Sequence, residues 1–132
     1  MFITLKVNTG NKTQLVDITQ RVQETITDQG MTNGVCHLFV PHTTAGLTLN
    51  ENWDPSVRTD IVRTLNNIVP AENDYRHREG NSPAHIKATL TGSSNTLLVE
   101  NGKLCLGTWQ GVYLAEFDGP RQRTVSVKIV PD

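Results

Sequence analysis

The segment that most restricts the fold is Thr96-Leu97-Leu98-Val99-Glu100, followed by Asn101-Gly102 and then Lys103 to Thr108. Asn-Gly between two β-type runs favours a two-residue turn with both residues at positive φ, and a turn that short joins antiparallel neighbours only. The sequence therefore predicts an antiparallel hairpin, and a β-meander following it. Val112 to Phe117 alternates, Asp118-Gly119-Pro120 turns the chain, and Val125, Val127 and Ile129 supply the inward face of a last strand. Period-two alternation of this kind marks strands with one buried face.

The same logic applied upstream predicts an opening hairpin. Phe2 to Val7 alternates, the polar turn Thr9-Gly10-Asn11-Lys12 follows, and Leu15-Val16-Asp17-Ile18 is a second short β run. Ile18, Val22 and Ile26 then recur every four residues until Gly30, the spacing of a helix with a glycine stop. Gly34 to Val40 reads as a buried strand, and Leu47-Thr48-Leu49-Asn50-Glu51 resumes the alternation. Asp54-Pro55 opens a second helix, since Asp accepts from free N–H groups and proline suits the first helical position; Val57, Ile61, Leu65 and Ile68 carry it to Pro70.

Pro70 to Pro83 has no usable periodicity and forms the longest loop, of a length often tied to function. Ser82-Pro83 repeats the cap-plus-proline signal, so Ala84 to Thr91, closed by Gly92, is predicted as a short helix with His85 in its first turn; a strand is the alternative. The 132 residues fit one domain, residues 1–132, and contain no repeat or linker. Hydrophobic residues at 36% suffice for a core, while 12 Lys/Arg against 13 Asp/Glu give a net charge of −1. That balance argues against nucleic-acid binding through the phosphate backbone. No run approaches the roughly 20 apolar residues of a membrane span, and Met1 to Lys6 alternates where a signal peptide would be continuously apolar. The expected location is the cytoplasm. Cys36 and Cys105 each sit in an apolar run and are expected to be buried free thiols.

Four histidines are present, and His37, between Cys36 and Leu38, reads as a packed, hydrogen-bonded strand residue. His42, His77 and His85 fall at a strand end, in the long loop and at a helix start, where scaffolds present functional groups. Three imidazoles with one open position would suit a catalytic metal, although their spacing matches no standard metal signature. Thr43 and Thr44, before Ala45-Gly46, offer hydroxyls and backbone N–H groups for an anionic oxygen, or ordinary turn bonds. Glu116-Phe117-Asp118-Gly119-Pro120-Arg121 sets two carboxylates and a guanidinium around a tight turn, with Arg123 just beyond. Arg121 reads equally as a phosphate fork or as the ion-pair partner of Asp118 or Glu116. Trp109-Gln110 reads either as an indole and amide presented at the same end of the sheet or as a core tryptophan with a satisfied N–H.

Taken together, these motifs are familiar: His42-Thr-Thr-Ala-Gly-Leu with Asn50-Glu51, His77 with Asn81-Ser-Pro-Ala-His85, Leu104-Cys-Leu-Gly-Thr-Trp-Gln110, and Glu116-Phe-Asp-Gly-Pro-Arg121. The chain resembles the YjbQ family from its first strand to its last. The resemblance implies an α+β fold with an antiparallel, sandwich-like sheet core, two or three short helices and assembly as a homotrimer. It also implies activity of the secondary thiamine phosphate synthase type, a transferase reaction that joins a pyrimidine pyrophosphate to a thiazole phosphate and releases pyrophosphate. On this resemblance His42, His77 and His85 are candidate ligands of a divalent metal, zinc or magnesium. His85, Glu116, Asp118 and Arg121 are candidate catalytic residues, and Thr43, Thr44, Asn81, Gln110 and Arg121 are candidate contacts to a small phosphorylated molecule. The same residues would also suit a metal-dependent phosphate-ester hydrolase, or a non-catalytic trimeric module that binds a metal or a small anion.

Overall fold

The computed structural model describes all 132 residues. In chain order the elements are β1 (Ile3–Asn8), β2 (Gln14–Asp17), α1 (Thr19–Asp28), β3 (Gly34–Phe39), β4 (Ala45–Glu51), α2 (Pro55–Ile68), α3 (Ser82–Thr91), β5 (Ser94–Glu100), β6 (Lys103–Leu104), β7 (Gln110–Glu116) and β8 (Gln122–Pro131). They form two sheets, β1-β8-β3-β5-β6 and β2-β7-β4, in which every pairing is antiparallel. The expected α+β class with three helices is what the chain adopts. None of the helices is long and apolar enough to cross a membrane.

The Asn101-Gly102 turn forms as the dipeptide predicts, with φ of 52° and 76°. Two expectations about strand partners do not hold. β1 pairs with β8 and β2 with β7, so the opening pair of strands is split between the sheets and is no hairpin. The meander also stops early. β6 keeps only two residues, after which the chain crosses over and β7 becomes the centre of the second sheet.

The reason lies in β7 itself. Val112 and Leu114 point into the main core, while Tyr113 and Ala115 point into a second apolar cluster on the opposite face, and all four are fully buried. A strand buried on both sides needs a layer over each face. One layer is the main core, where α1 lays Val22 and Ile26 against Leu38, Val99, Val125 and Val127 of the five-stranded sheet and Leu47 of the other. The second layer is α2 and α3, which cover Tyr113, Ala115 and Phe117 with Ala84 and, partly buried, Ile61, Val62, Leu65 and Ala88.

Of the three helices only α2 has a side-chain cap at its start from the N-cap residue. The Asp54 carboxylate caps α2 by accepting from the Ser56 N–H at 2.9 Å. In α3, Ser82 is the first helical residue, not the cap, and the flanking Asn81 makes no capping bond because its amide reaches elsewhere. His37 is exposed and bonds to Thr96, and Cys105 is exposed too, so only Cys36 is the buried thiol expected. His37 is in phase with outward-facing Phe39, on a sheet face that no helix covers.

Candidate functional site

The end of β3 hands the chain to Pro41-His42-Thr43-Thr44, and the His42 ring lies over β8. Its Nε2 accepts from the Thr124 backbone N–H at 3.0 Å and lies 3.2 Å from the Thr124 hydroxyl. A backbone N–H can only donate, so Nε2 is unprotonated and the neutral ring carries its proton on Nδ1. Burial and then the nearby Arg123 hold His42 below the ordinary histidine range, against the opposing pull of Glu116.

His42 shares an open cleft of about 380 Å³ with His85 of α3, and Thr43, Thr89 and Ser93 add hydroxyls to its walls. Helical spacing explains which part of α3 faces it. His85, Ala88, Thr89 and Gly92 stand at i, i+3, i+4 and i+7 and form one stripe. The helix end is fastened to β4 by the Leu47 N–H donating to the Gly92 carbonyl at 3.0 Å. Gly46 permits that approach, because a Cβ there would lie 2.5 Å from the same oxygen. His77 comes from the long loop and meets His85 edge to face, with ring centroids 5.3 Å apart and planes at 84°. Its Nε2 lies 3.9 Å from a Glu79 carboxylate oxygen.

Beneath the cleft, Glu116 is fully buried and its carboxylate is saturated. Oε1 accepts from the Thr9 hydroxyl at 2.8 Å and Arg123 Nε at 2.9 Å; Oε2 accepts from the Asp118 N–H at 3.0 Å and from the Arg123 terminal nitrogen at 2.5 Å. The same guanidinium nitrogen donates to the Thr44 hydroxyl at 2.8 Å and the Thr44 carbonyl at 3.2 Å. Burial pushes the Glu116 carboxyl up, but Arg123, the Asp118 N–H and the Thr9 hydroxyl together outweigh it and leave it below the usual carboxylate range. Glu116, the candidate catalytic residue, and Thr44, the candidate ligand contact, are therefore buried and do not line the cleft. They join β7 and β8 to the loop that carries His42.

Asp118 and Arg121 are not among the residues that line the cleft, and they hold each other and Asn81. Asp118 Oδ2 accepts from Asn81 Nδ2 at 2.9 Å and from Arg121 at 3.2 Å, and the Asp118 carbonyl accepts from Arg121 Nε at 2.9 Å. The Asp118 ion pair is thus one of the two roles read for Arg121, and with 49% of its side chain exposed the guanidinium keeps free donors. Thr43 is exposed at the cleft. Gln110 is elsewhere: it starts β7 while Glu116 ends it, about 20 Å away at the rise of a strand. Its amide oxygen accepts from the Gly107 N–H at 2.8 Å and closes the preceding turn. At that far end Trp109 is exposed, not core, and meets Trp53 edge to face at 5.8 Å.

Within one chain no three His, Cys, Asp or Glu side chains come close enough to hold a metal ion. His42 fits least, because its Nε2 is taken by a backbone N–H and its Nδ1 carries the proton. His77 and His85 are neighbours and lack a third ligand.

Two residues of the site stood out less in the sequence than their roles warrant. Arg123 is in phase with Val125 and Val127, and an arginine in register with core residues signals a buried ion pair. Thr124 carried no comparable signal, since it binds His42 through its backbone.

Comparison with known proteins agrees over the whole length. Residues 3–132 match the family model described as UPF0047 protein YjbQ-like. The chain is 46% identical to UPF0047 protein MJ1081 of Methanocaldococcus jannaschii over 132 residues, which cover 100% of this chain and 96% of that protein. It is 45% identical to UPF0047 protein YugU of Bacillus subtilis, covering 98% of this chain and 99% of the relative. The crystal structure of an uncharacterized conserved YjbQ/UPF0047 protein from Clostridium acetobutylicum superposes with a TM-score of 0.94 at 52% identity, covering 97% of this chain and 99% of the other. A YbjQ-like protein of unknown function from Sulfolobus solfataricus reaches the same TM-score at 34% identity, covering 100% of this chain and 97% of its own. A family match across nearly every residue, at identities this high, means that the chain belongs to the YjbQ-like UPF0047 family.

Proposed function

We propose that this chain acts on a small phosphorylated molecule in the cleft between the His42 loop and α3, by chemistry of the secondary thiamine phosphate synthase type. The observation that carries the proposal is that His42 and His85 line one cleft. In that reaction the thiazole nitrogen forms a bond to the methylene carbon of the pyrimidine as the C–O bond to pyrophosphate breaks, and pyrophosphate leaves with the electron pair. The half-exposed Arg121 guanidinium, steadied by Asp118, suits the departing polyanion. His85 supplies a proton to it, and neutral His42 orients the bound group through its Nδ1–H.

A divalent ion, zinc or magnesium, enters only in an assembly in which a second chain adds a ligand to the His77–His85 pair, and no step above runs through it. A homotrimer is part of the proposal. Its support is the bare outer face of the five-stranded sheet, which exposes Phe2, Phe39, Leu98 and Val130. Cytoplasmic location is supported by the two unpaired cysteines.

The test is release of pyrophosphate and formation of thiamine phosphate from the two precursors by the purified protein. Turnover is expected, with at least a roughly tenfold loss in His85→Gln and in Arg121→Met. No product from the wild type, or equal rates in all three proteins, refutes the proposal.

A further inference from the structure

A second cavity lies on the other face of α3. It holds about 460 Å³, within the range of small-molecule sites, and opens between the β1–β2 turn, α2 and α3. Ala84 and Lys87, three residues apart on the helix, face it, whereas His85 and Ala88 face the histidine cleft. Its walls bring together Lys12, Asn66, Asn81 and Lys87 over an apolar patch that includes Ala84 and Phe117, and no lining residue is acidic.

Lys87 is the unusual member. Its side chain is buried, it makes no ion pair, and its ammonium donates to the Asn66 side-chain oxygen. A buried cation without a counter-charge is costly, and Lys12 stands near enough to add repulsion. Asn81, on the same wall, donates its amide to Asp118 and leaves its Oδ1 buried with no hydrogen-bond partner. A buried cation without an anion, an exposed lysine at the cavity mouth and an acceptor without a donor are complementary to one kind of ligand.

We propose that this cavity binds a small hydroxylated phosphomonoester, its phosphate held between Lys12 and Lys87 and its hydroxyl donating to Asn81. The phosphate supplies the missing counter-charge, and ammonium groups serve as point-charge phosphate binders. The apolar patch takes the carbon chain. Asn81 is joined through Asp118 to Arg121, but the site needs no chemistry in the histidine cleft.

The experiment is a titration of the full chain followed through backbone amide shifts in ¹H–¹⁵N spectra, with inorganic phosphate and glycerol 3-phosphate as probes and sodium chloride at equal ionic strength as control. Amides of Lys12, Thr13, Asn66 and Lys87 are expected to shift together along one saturable curve, tighter for the ester than for the free ion. The curve should weaken about threefold in Lys12→Met and at least about tenfold in Lys87→Met, consistent with loss of a charge-assisted bond. Lys87→Met should fold at least as stably as the parent without phosphate, since it removes an unpaired buried charge. Should it not fold, the Lys12→Met curve decides alone. The proposal is overturned if these amides do not respond beyond the chloride control, if only Thr43 and Ser93 of the histidine cleft respond, or if the folded lysine variants bind as the wild type does.

Discussion

Replacing Arg123 with Met tests the buried framework under the site most directly. Arg123 and Glu116 are almost fully buried side chains, and the methionine keeps most of the volume while removing every donor of the guanidinium. Glu116 would then face a dry interior with only the Thr9 hydroxyl and the Asp118 N–H left of its partners. Breaking one half of a buried pair costs about 3–5 kcal/mol. For 132 residues the unfolding entropy makes each kcal/mol worth about 3–4 °C, so the midpoint of thermal unfolding should fall by roughly 10–18 °C at pH 7. Acid should act in opposite directions on the two proteins. In the wild type the Glu116 carboxyl lies below its unfolded value, so its contribution is full above the ordinary carboxylate pKa and is lost as pH falls below it. In the variant burial dominates and raises the carboxyl, so protonation relieves the cost and the deficit narrows as pH drops from about 7 towards 5. Glu116→Gln combined with Arg123→Met should recover at least about 1 kcal/mol over the single variant, since a neutral amide replaces the orphaned charge. Calorimetric melts of the wild type, the two single variants Arg123→Met and Glu116→Gln, and the double variant between pH 5 and 8 provide the readout. A loss below about 1 kcal/mol in Arg123→Met, or a deficit that widens in acid, would refute the claim that this pair is desolvated and mutually dependent.

His42 should appear as the Nδ1–H tautomer in long-range ¹H–¹⁵N spectra at pH 7.5; a protonated Nε2 there contradicts the bond from Thr124. Because its folded pKa lies below its unfolded one, stability should fall as pH drops from the unfolded value through the folded one, and His42→Gln melts should lack that component. Ile26→Ala, at a fully buried position of α1, should cost about 2–5 kcal/mol in denaturant unfolding, and a loss under about 1 kcal/mol would mean that α1 does not seal the main core. Gly46→Ala places a methyl 2.5 Å from the Gly92 carbonyl, so a loss of about 1–3 kcal/mol is expected, with a shifted Leu47 amide resonance; an unchanged melt shows that the end of α3 moves freely.

Much of the local structure could be read directly. The Asp54-Pro55 start of α2, the 18/22/26 stripe of α1, the Asn101-Gly102 turn and the helical choice for residues 84–91 depend on interactions within a few residues, and the chain adopts each. The candidate site was legible as residue types and less so as roles. His42 and His85 do share a cleft, whereas Gln110 lies at the far end of β7 and Glu116 is fully buried. The motif from Leu104 to Gln110 shows why: adjacency in a motif carries no information about distance from another motif.

By itself, the sequence determined which face of β8 turns inward, through Val125, Val127 and Ile129, because alternation is a local property of side-chain direction. Only the tertiary structure decided which strands pair, that β7 is covered on both sides, and that Arg123 rather than Arg121 neutralises Glu116. Those outcomes depend on where apolar layers and desolvated charges find partners across tens of residues. Burial and pairing energies are fixed by proximity in space, and no local period records it.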